Sequence, residues 1–230
     1  MKQIDLKVRS SEGKDFDCYM VAPDGDRKVP AMVLASAIHG VDADLRGIAD
    51  AFAAKGCLAA APDLFWRWLP GPLEHDDPRS RPRGQPRLEK IKAGEQDLVD
   101  TLAMLKKEPR FNGRAAVIGF CYGGPFAILG PKRLGYAAGI ACHGTQLLDY
   151  IGELEGVTQP VCIIWGDKDI MAPPPVLEAY RALPARMKNV EVHVFPGVEH
   201  GYMMQSRPIF DRKTYDFSMD RALAILEKLR

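Results

Sequence analysis

The apolar run Ala115-Ala116-Val117-Ile118 passes directly into Gly119-Phe120-Cys121-Tyr122-Gly123-Gly124, and a helix-compatible segment follows. No other stretch restricts the chain as strongly. A strand that turns at once into a helix leaves no room for side chains where the backbone doubles back, and glycine stands two residues before and two after Cys121. The same five residues also suit an ordinary glycine-containing turn around a small buried cysteine, so their meaning depends on what surrounds them.

What surrounds them is an alternation of strand and helix. Residues 4–9 and 16–21 read as two strands joined by Ser10-Ser11-Glu12-Gly13-Lys14, a hairpin. Residues 30–35 are a short buried strand, residues 44–55 carry helical spacing in Leu45, Ile48, Ala49 and Phe52, and Gly56 ends that helix. Strands are then expected over 57–61, 115–119, 136–142, 161–165 and 190–195, with helices over 89–107, 122–129, 176–183 and 213–229. Repeated βα units imply an α/β fold, a mostly parallel twisted sheet with helices on both faces, here preceded by the antiparallel hairpin. With 230 residues, one domain over 1–230 is expected.

Residues 63–87 break the rhythm. This segment holds five arginines, two tryptophans and five prolines, and it follows a strand's carboxyl end. In parallel sheets ligands bind beyond those ends, so the excursion is expected over the active-site face.

The 31 basic and 30 acidic residues give a net charge of +1, which supplies no electrostatic reason for a nucleic-acid or anionic-membrane partner. The polar, alternating start reads as neither a signal peptide nor an anchor. Cysteines 18, 57, 121, 142 and 162 are odd in number and lack a C-x-x-C pair, as expected of a reducing cytoplasm. Four lie in strand-like stretches and read as packing residues; Cys121 alone lies in a turn.

A nucleophile needs a base and the base an orienting acid. Gly166-Asp167-Lys168-Asp169 follows the strand over 161–165, and Val198-Glu199-His200-Gly201 follows that over 190–195. The chain order is nucleophile, acid, histidine, as in α/β-hydrolases. Cys121 is then the nucleophile, His200 its base and an aspartate the group that fixes the imidazole tautomer. Residue chemistry alone leaves Asp167 and Asp169 near even. A helix beginning at Tyr122 would place its positive end beneath Cys121. Oxyanion donors are expected from the backbone N–H of Tyr122 and of Ile38, in the loop after the strand ending at Ala35.

These pieces, with Ala61-Pro62-Asp63-Leu64-Phe65 and Glu199-His200-Gly201-Tyr202, resemble the dienelactone hydrolase family, the carboxymethylenebutenolidases of the α/β-hydrolase fold, across nearly the whole chain. The resemblance implies Asp169 as the acid, no cofactor or metal, and a small-molecule ester or lactone as substrate. It also implies a substrate-binding arginine before the long helix, at Arg79 or Arg81, and pocket positions at His39 and His143, where aromatic residues are expected in the family. The chain departs from the family at Ala37, where lactone-opening members carry glutamate, and at Met203 and Met204, where they carry an arginine. Trp66 and Trp68 either line the pocket or pin the excursion to the body, and Arg67, Arg79, Arg81, Arg83 and Arg87 read as mainly solvated loop surface.

The implied cycle is attack by Cys121 on an acyl carbonyl, release of the alcohol, and hydrolysis of the thioester with His200 as base. Thiolate is itself a good leaving group, so activated substrates such as enol lactones, aryl esters and thioesters are favoured. Three other readings stand beside it: a metal-dependent hydrolase using His39, His143, His200 and Asp169, a non-catalytic binding protein on the same fold, and a redox role for Cys121.

Overall fold

The computed structural model describes residues 1–230. Eight strands form one sheet in the order β1-β2-β4-β3-β5-β6-β7-β8. Strands β1 (Lys2–Arg9) and β2 (Asp15–Ala22) are the expected hairpin, paired antiparallel from Lys2 with Ala22 to Arg9 with Asp15. Strand β2 runs antiparallel to β4 (Leu58–Pro62). From there β3 (Val29–Ala35), β5 (Phe111–Phe120), β6 (Ala138–Cys142), β7 (Val161–Gly166) and β8 (Val190–Phe195) are parallel to their neighbours. With its helices on both faces and its antiparallel hairpin, this is an α/β-hydrolase fold.

Helices α1 (Ala43–Ala54) and α7 (Arg212–Glu227) cover one face of the sheet, where Ile48, Phe52, Ile225 and Leu226 join Met32, Leu34 and Ile118 in one buried cluster. Asp42 caps α1 by accepting the Leu45 N–H at 2.9 Å, and Asp211 caps α7 at Thr214 in the same way. Helices α2 (Ser80–Arg83), α3 (Arg87–Leu105), α4 (Phe126–Leu129), α5 (Pro174–Arg181) and α6 (Leu183–Arg186) complete the chain. Helices α3 and α4 pack on the other face, with Ile91, Leu98 and Phe126 against Val33, Val117 and Leu58. No helix is long and apolar enough to cross a membrane.

The strand order reverses at β3: β4 lies on one side of it and β5 on the other. Ligand crevices in parallel sheets open at such switch points. Ala35 pairs with Gly119 at the carboxyl ends of β3 and β5, so the loop after β3 and the turn at Cys121 lie side by side.

The helix expected from Tyr122 differs. The chain winds through a tight turn at Cys121–Gly123, a single α turn in α4 and a wider coil at Gly130–Leu134. Pro125 and Pro131 lack the N–H that a continuous helical ladder requires, so the pitch changes at each. The aligned dipole expected beneath Cys121 is therefore reduced to short pieces. His193, on an exposed-looking strand pattern, is half-buried with its ring 4.8 Å from Phe217 of α7.

Candidate active site

The glycines of the elbow are explained by contact. A Cβ on Gly119 would lie 2.1 Å from the Gly123 carbonyl oxygen, and one on Gly123 would lie 2.2 Å from that of Ala35. Only bare backbone lets β5, the turn and the neighbouring β3 end approach so closely. Cys121 itself takes φ 50°, a left-handed conformation unfavourable by about 1–2 kcal/mol for a residue with a Cβ. It is half-buried, while Cys18, Cys57, Cys142 and Cys162 are buried. Burial pushes the thiols of Cys18 and Cys142 up to about 12.

His200 and Asp169 arrive from neighbouring strand ends. Gly166 closes β7 against the loop that carries His200: the Lys168 N–H donates to the Val198 carbonyl at 3.0 Å, and the Gly197 N–H to Asp167 Oδ1 at 2.7 Å. The two aspartates thereby separate. Asp167 holds the loop at the surface, whereas the Asp169 side chain is wholly buried, accepting the Met171 N–H on Oδ1 at 2.8 Å and pairing through Oδ2 with His200 Nδ1 at 2.7 Å. Cys121 neighbours the same imidazole and favours its charged form. Burial opposes charging of His200, but hydrogen bonds to Asp169 and then Cys121 outweigh it and push the imidazole up to about 10.

The loop after β3 supplies the facing wall. The Ile38 N–H donates to no protein acceptor, and its carbonyl accepts from Arg83 Nη1 at 3.4 Å. Residues 63–87 lie on this loop, with the Leu73 N–H donating to the His39 carbonyl at 2.9 Å and Gly84 beside the side chains of Ile38 and Tyr122.

The pocket positions are occupied unevenly. His143 is 1% exposed, at φ 42°, with neither ring nitrogen partnered. Its ring stands edge-on to His200 at 4.9 Å and to Tyr202 at 5.2 Å, and burial holds it neutral. His39 packs against His75 at 4.4 Å rather than joining His143 and His200, so the four residues of a metal-dependent reading do not converge. Burial, then the charges of His75 and Arg207, push His39 down to about 4. His75 in turn faces Asp42 and Asp44.

Several readings of the excursion need correction. Trp66 pins the excursion to the body: its Nε1 donates to the buried Asp97 of α3 at 3.1 Å and its ring stacks on Phe16 at 5.8 Å. Arg79 pairs with Asp77 at the surface and Arg81 is exposed, which gives neither a visible role in the site. Arg79 and Arg81 keep the solvated reading, whereas Arg67, Arg83 and Arg87 depart from it. Arg67 bridges Asp97 and Glu12, each at 2.7 Å. Arg83, its side chain wholly buried, donates to the Gly71 carbonyl at 2.5 Å, lies 3.6 Å from Asp63 and covers the Phe65 ring. Arg87 donates through Nη2 to the carbonyls of Tyr122 and Thr145, both at 3.0 Å. Thr145 was not legible; its one signal is its place just after β6, the strand beside the elbow strand. Met203 and Met204 are buried in the core.

Known proteins resemble this chain in sequence and in fold. The model of the dienelactone hydrolase family matches residues 16–228. Carboxymethylenebutenolidase 1 of Cupriavidus pinatubonensis is 27% identical over 228 residues, covering 98% of this chain and 97% of the relative. The carboxymethylenebutenolidase of Pseudomonas putida is 24% identical over 232 residues, covering 98% and 96%. Among solved structures, the dienelactone hydrolase-like promiscuous phosphotriesterase P91 from metagenomic libraries superposes with a TM-score of 0.79 at 18% identity, covering 100% of this chain and 99% of that one. At that identity the structural likeness is one of fold.

Proposed function

The chain belongs to the dienelactone hydrolase family, and from that premise we propose that it hydrolyses small activated esters or lactones through a thioester formed on Cys121. The observation that carries this reading is the pairing of the buried Asp169 carboxylate with His200 Nδ1 at 2.7 Å, with the strained Cys121 beside the same imidazole. In the proposed cycle the Cys121 sulfur attacks the carbonyl carbon and the oxyanion is received by the N–H groups of Ile38 and Tyr122. The tetrahedral species collapses to the thioester as the carbon–oxygen bond breaks, and the His200 imidazolium gives its proton to the leaving oxygen. Neutral His200 then takes a proton from water, whose oxygen attacks the thioester, and thiolate departs.

Asp169 keeps Nδ1 protonated through both steps and stabilises the imidazolium. His143 contributes a neutral ring that limits where the His200 ring can turn. The substrate class follows from the carboxymethylenebutenolidase relatives and from the leaving-group argument: enol lactones, aryl esters and thioesters should outrun alkyl esters. The domain over 1–230 and the placement of the active site under residues 63–87 belong to the same proposal.

The test is a panel of enol lactones, aryl esters, thioesters and ethyl esters, with and without a carboxylate, run on the wild type and Cys121→Ala. The expected result is turnover of activated substrates with trapping of an acyl group on Cys121. Undiminished turnover by Cys121→Ala, or ethyl esters cleaved as fast as enol esters, would overturn it. No turnover of any substrate, with Cys121 inert to iodoacetamide at neutral pH, would favour a binding protein on this fold.

A further inference from the structure

Three non-glycine residues of the chain have positive φ, and all three are at one place: Cys121 at 50°, His143 at 42° and Gln146 at 57°. The first is the elbow and the other two bracket Thr145, which is 4% exposed. Strain gathered in this way persists only where surrounding bonds over-determine the backbone. The bonds are present. The Cys121 carbonyl oxygen accepts from the Thr145 N–H at 2.8 Å, from Thr145 Oγ1 at 3.1 Å and from the Gly124 N–H at 3.1 Å.

The Cys121 carbonyl belongs to the same planar peptide group as the Tyr122 N–H. In a trans peptide these two bonds point in opposite directions, so fixing the carbonyl fixes the N–H. Three donors on the oxygen also polarise the peptide group and strengthen its N–H as a donor. Arg87 closes the arrangement: Nη2 bridges the carbonyls of Tyr122 and Thr145, and the guanidinium covers the Tyr122 ring at 4.7 Å. It forms no ion pair with a carboxylate, and its buried Nε has no partner. The half-buried guanidinium is held by carbonyl oxygens rather than by a carboxylate, and Cys121 is the foremost group favouring its charge.

We propose that Thr145 and Arg87 are positioning residues that clamp the Cys121–Tyr122 peptide and hold the Tyr122 N–H toward the reacting acyl oxygen. The proposal rests on the thioester reading above. It predicts a specific split between two reactions of one cysteine. Ester hydrolysis passes through an oxyanion and needs the clamp, whereas alkylation by iodoacetamide is a direct displacement with no oxyanion and does not.

The experiment compares Thr145→Val, Thr145→Ser, Arg87→Met and Arg87→Lys in the full chain. Each is assayed for p-nitrophenyl acetate hydrolysis and for Cys121 alkylation at the same pH, with thermal melting to verify folding. Losing a whole oxyanion donor lowers kcat about 10²–10³-fold, so loosening its peptide should lower it about 10-fold. Thr145→Val is expected to show that loss in kcat, with KM within about twofold and the alkylation rate unchanged. Thr145→Ser, which keeps the hydroxyl, should recover most of the loss, and Arg87→Met should lose more than Arg87→Lys. Wild-type kcat in Thr145→Val overturns the clamp, as does an alkylation rate that falls in step with kcat. Hydrolysis that survives Cys121→Ala would instead remove the thioester reading beneath it. If Thr145→Val fails to fold, the contrast between Arg87→Met and Arg87→Lys decides: a kcat lower in Arg87→Met than in Arg87→Lys sustains the clamp, and wild-type kcat in Arg87→Met overturns it.

Discussion

Replacing Asp169 by asparagine tests the proposed coupling of acid to base most directly. The change is nearly isosteric in a wholly buried site, and the amide oxygen can go on accepting the Met171 N–H. That orientation turns the amide NH2 toward His200 Nδ1, where the carboxylate Oδ2 now lies at 2.7 Å. A donor facing Nδ1 forces the imidazole proton onto Nε2, the wrong tautomer for a base acting toward Cys121. The charge is lost as well. His200 is pushed from 6.5 to about 10, a preference for the charged ring on the order of 5 kcal/mol, divided between Asp169 and Cys121. Losing half of it corresponds to a factor on the order of 10² in rate, and a misplaced tautomer extends this toward ~10⁴. Steady-state p-nitrophenyl acetate turnover should therefore fall about 10²–10⁴-fold, with the acetyl-enzyme accumulating and visible by intact mass. Asp167→Asn, at the exposed partner of the Gly197 N–H, should stay within about twofold of wild type. Turnover by a folded Asp169→Asn within about threefold of wild type would refute the reasoning.

Gly123→Ala places a Cβ 2.2 Å from the Ala35 carbonyl oxygen, so the elbow must separate from the β3 end; hydrolysis and the melting temperature should both drop sharply. Arg83→Met leaves Asp63 buried without its cation and frees the Gly71 and Ile38 carbonyls, which should cost about 3–5 kcal/mol in denaturant unfolding. Because the folded-state pKa of His200 is raised, its stabilising contribution is complete below about pH 6.5 and is lost as pH rises through about 10. Melting temperatures should thus decline across that window in the wild type and less steeply in His200→Gln; equal slopes would contradict the assignment.

Much of the scaffold was legible because periodicity and punctuation report burial directly. The hairpin, the parallel strands and helices α1, α3 and α7 follow from residues whose environment is set by their own element. The helix after Cys121 was misjudged because apolar content suggested one continuous ladder, while Pro125 and Pro131 broke it. The two aspartates two residues apart could not be ranked by local chemistry. Folding separates them by sending one to the surface and burying the other.

The elbow glycines, the order Cys121, Asp169, His200 and their strand-end positions are properties of the sequence, since spacing and element boundaries are local. What the arginines of residues 63–87 do is decided only by the tertiary structure. Arg79 and Arg83 are four positions apart in one polar, proline-rich run, yet Arg79 is exposed and Arg83 is buried against Asp63 and the loop after β3. Arg87 and Thr145, 58 positions apart, meet across the elbow. Whether a charge is solvated or locked depends on which distant carbonyls and carboxylates surround it, and only the packed chain brings those groups together.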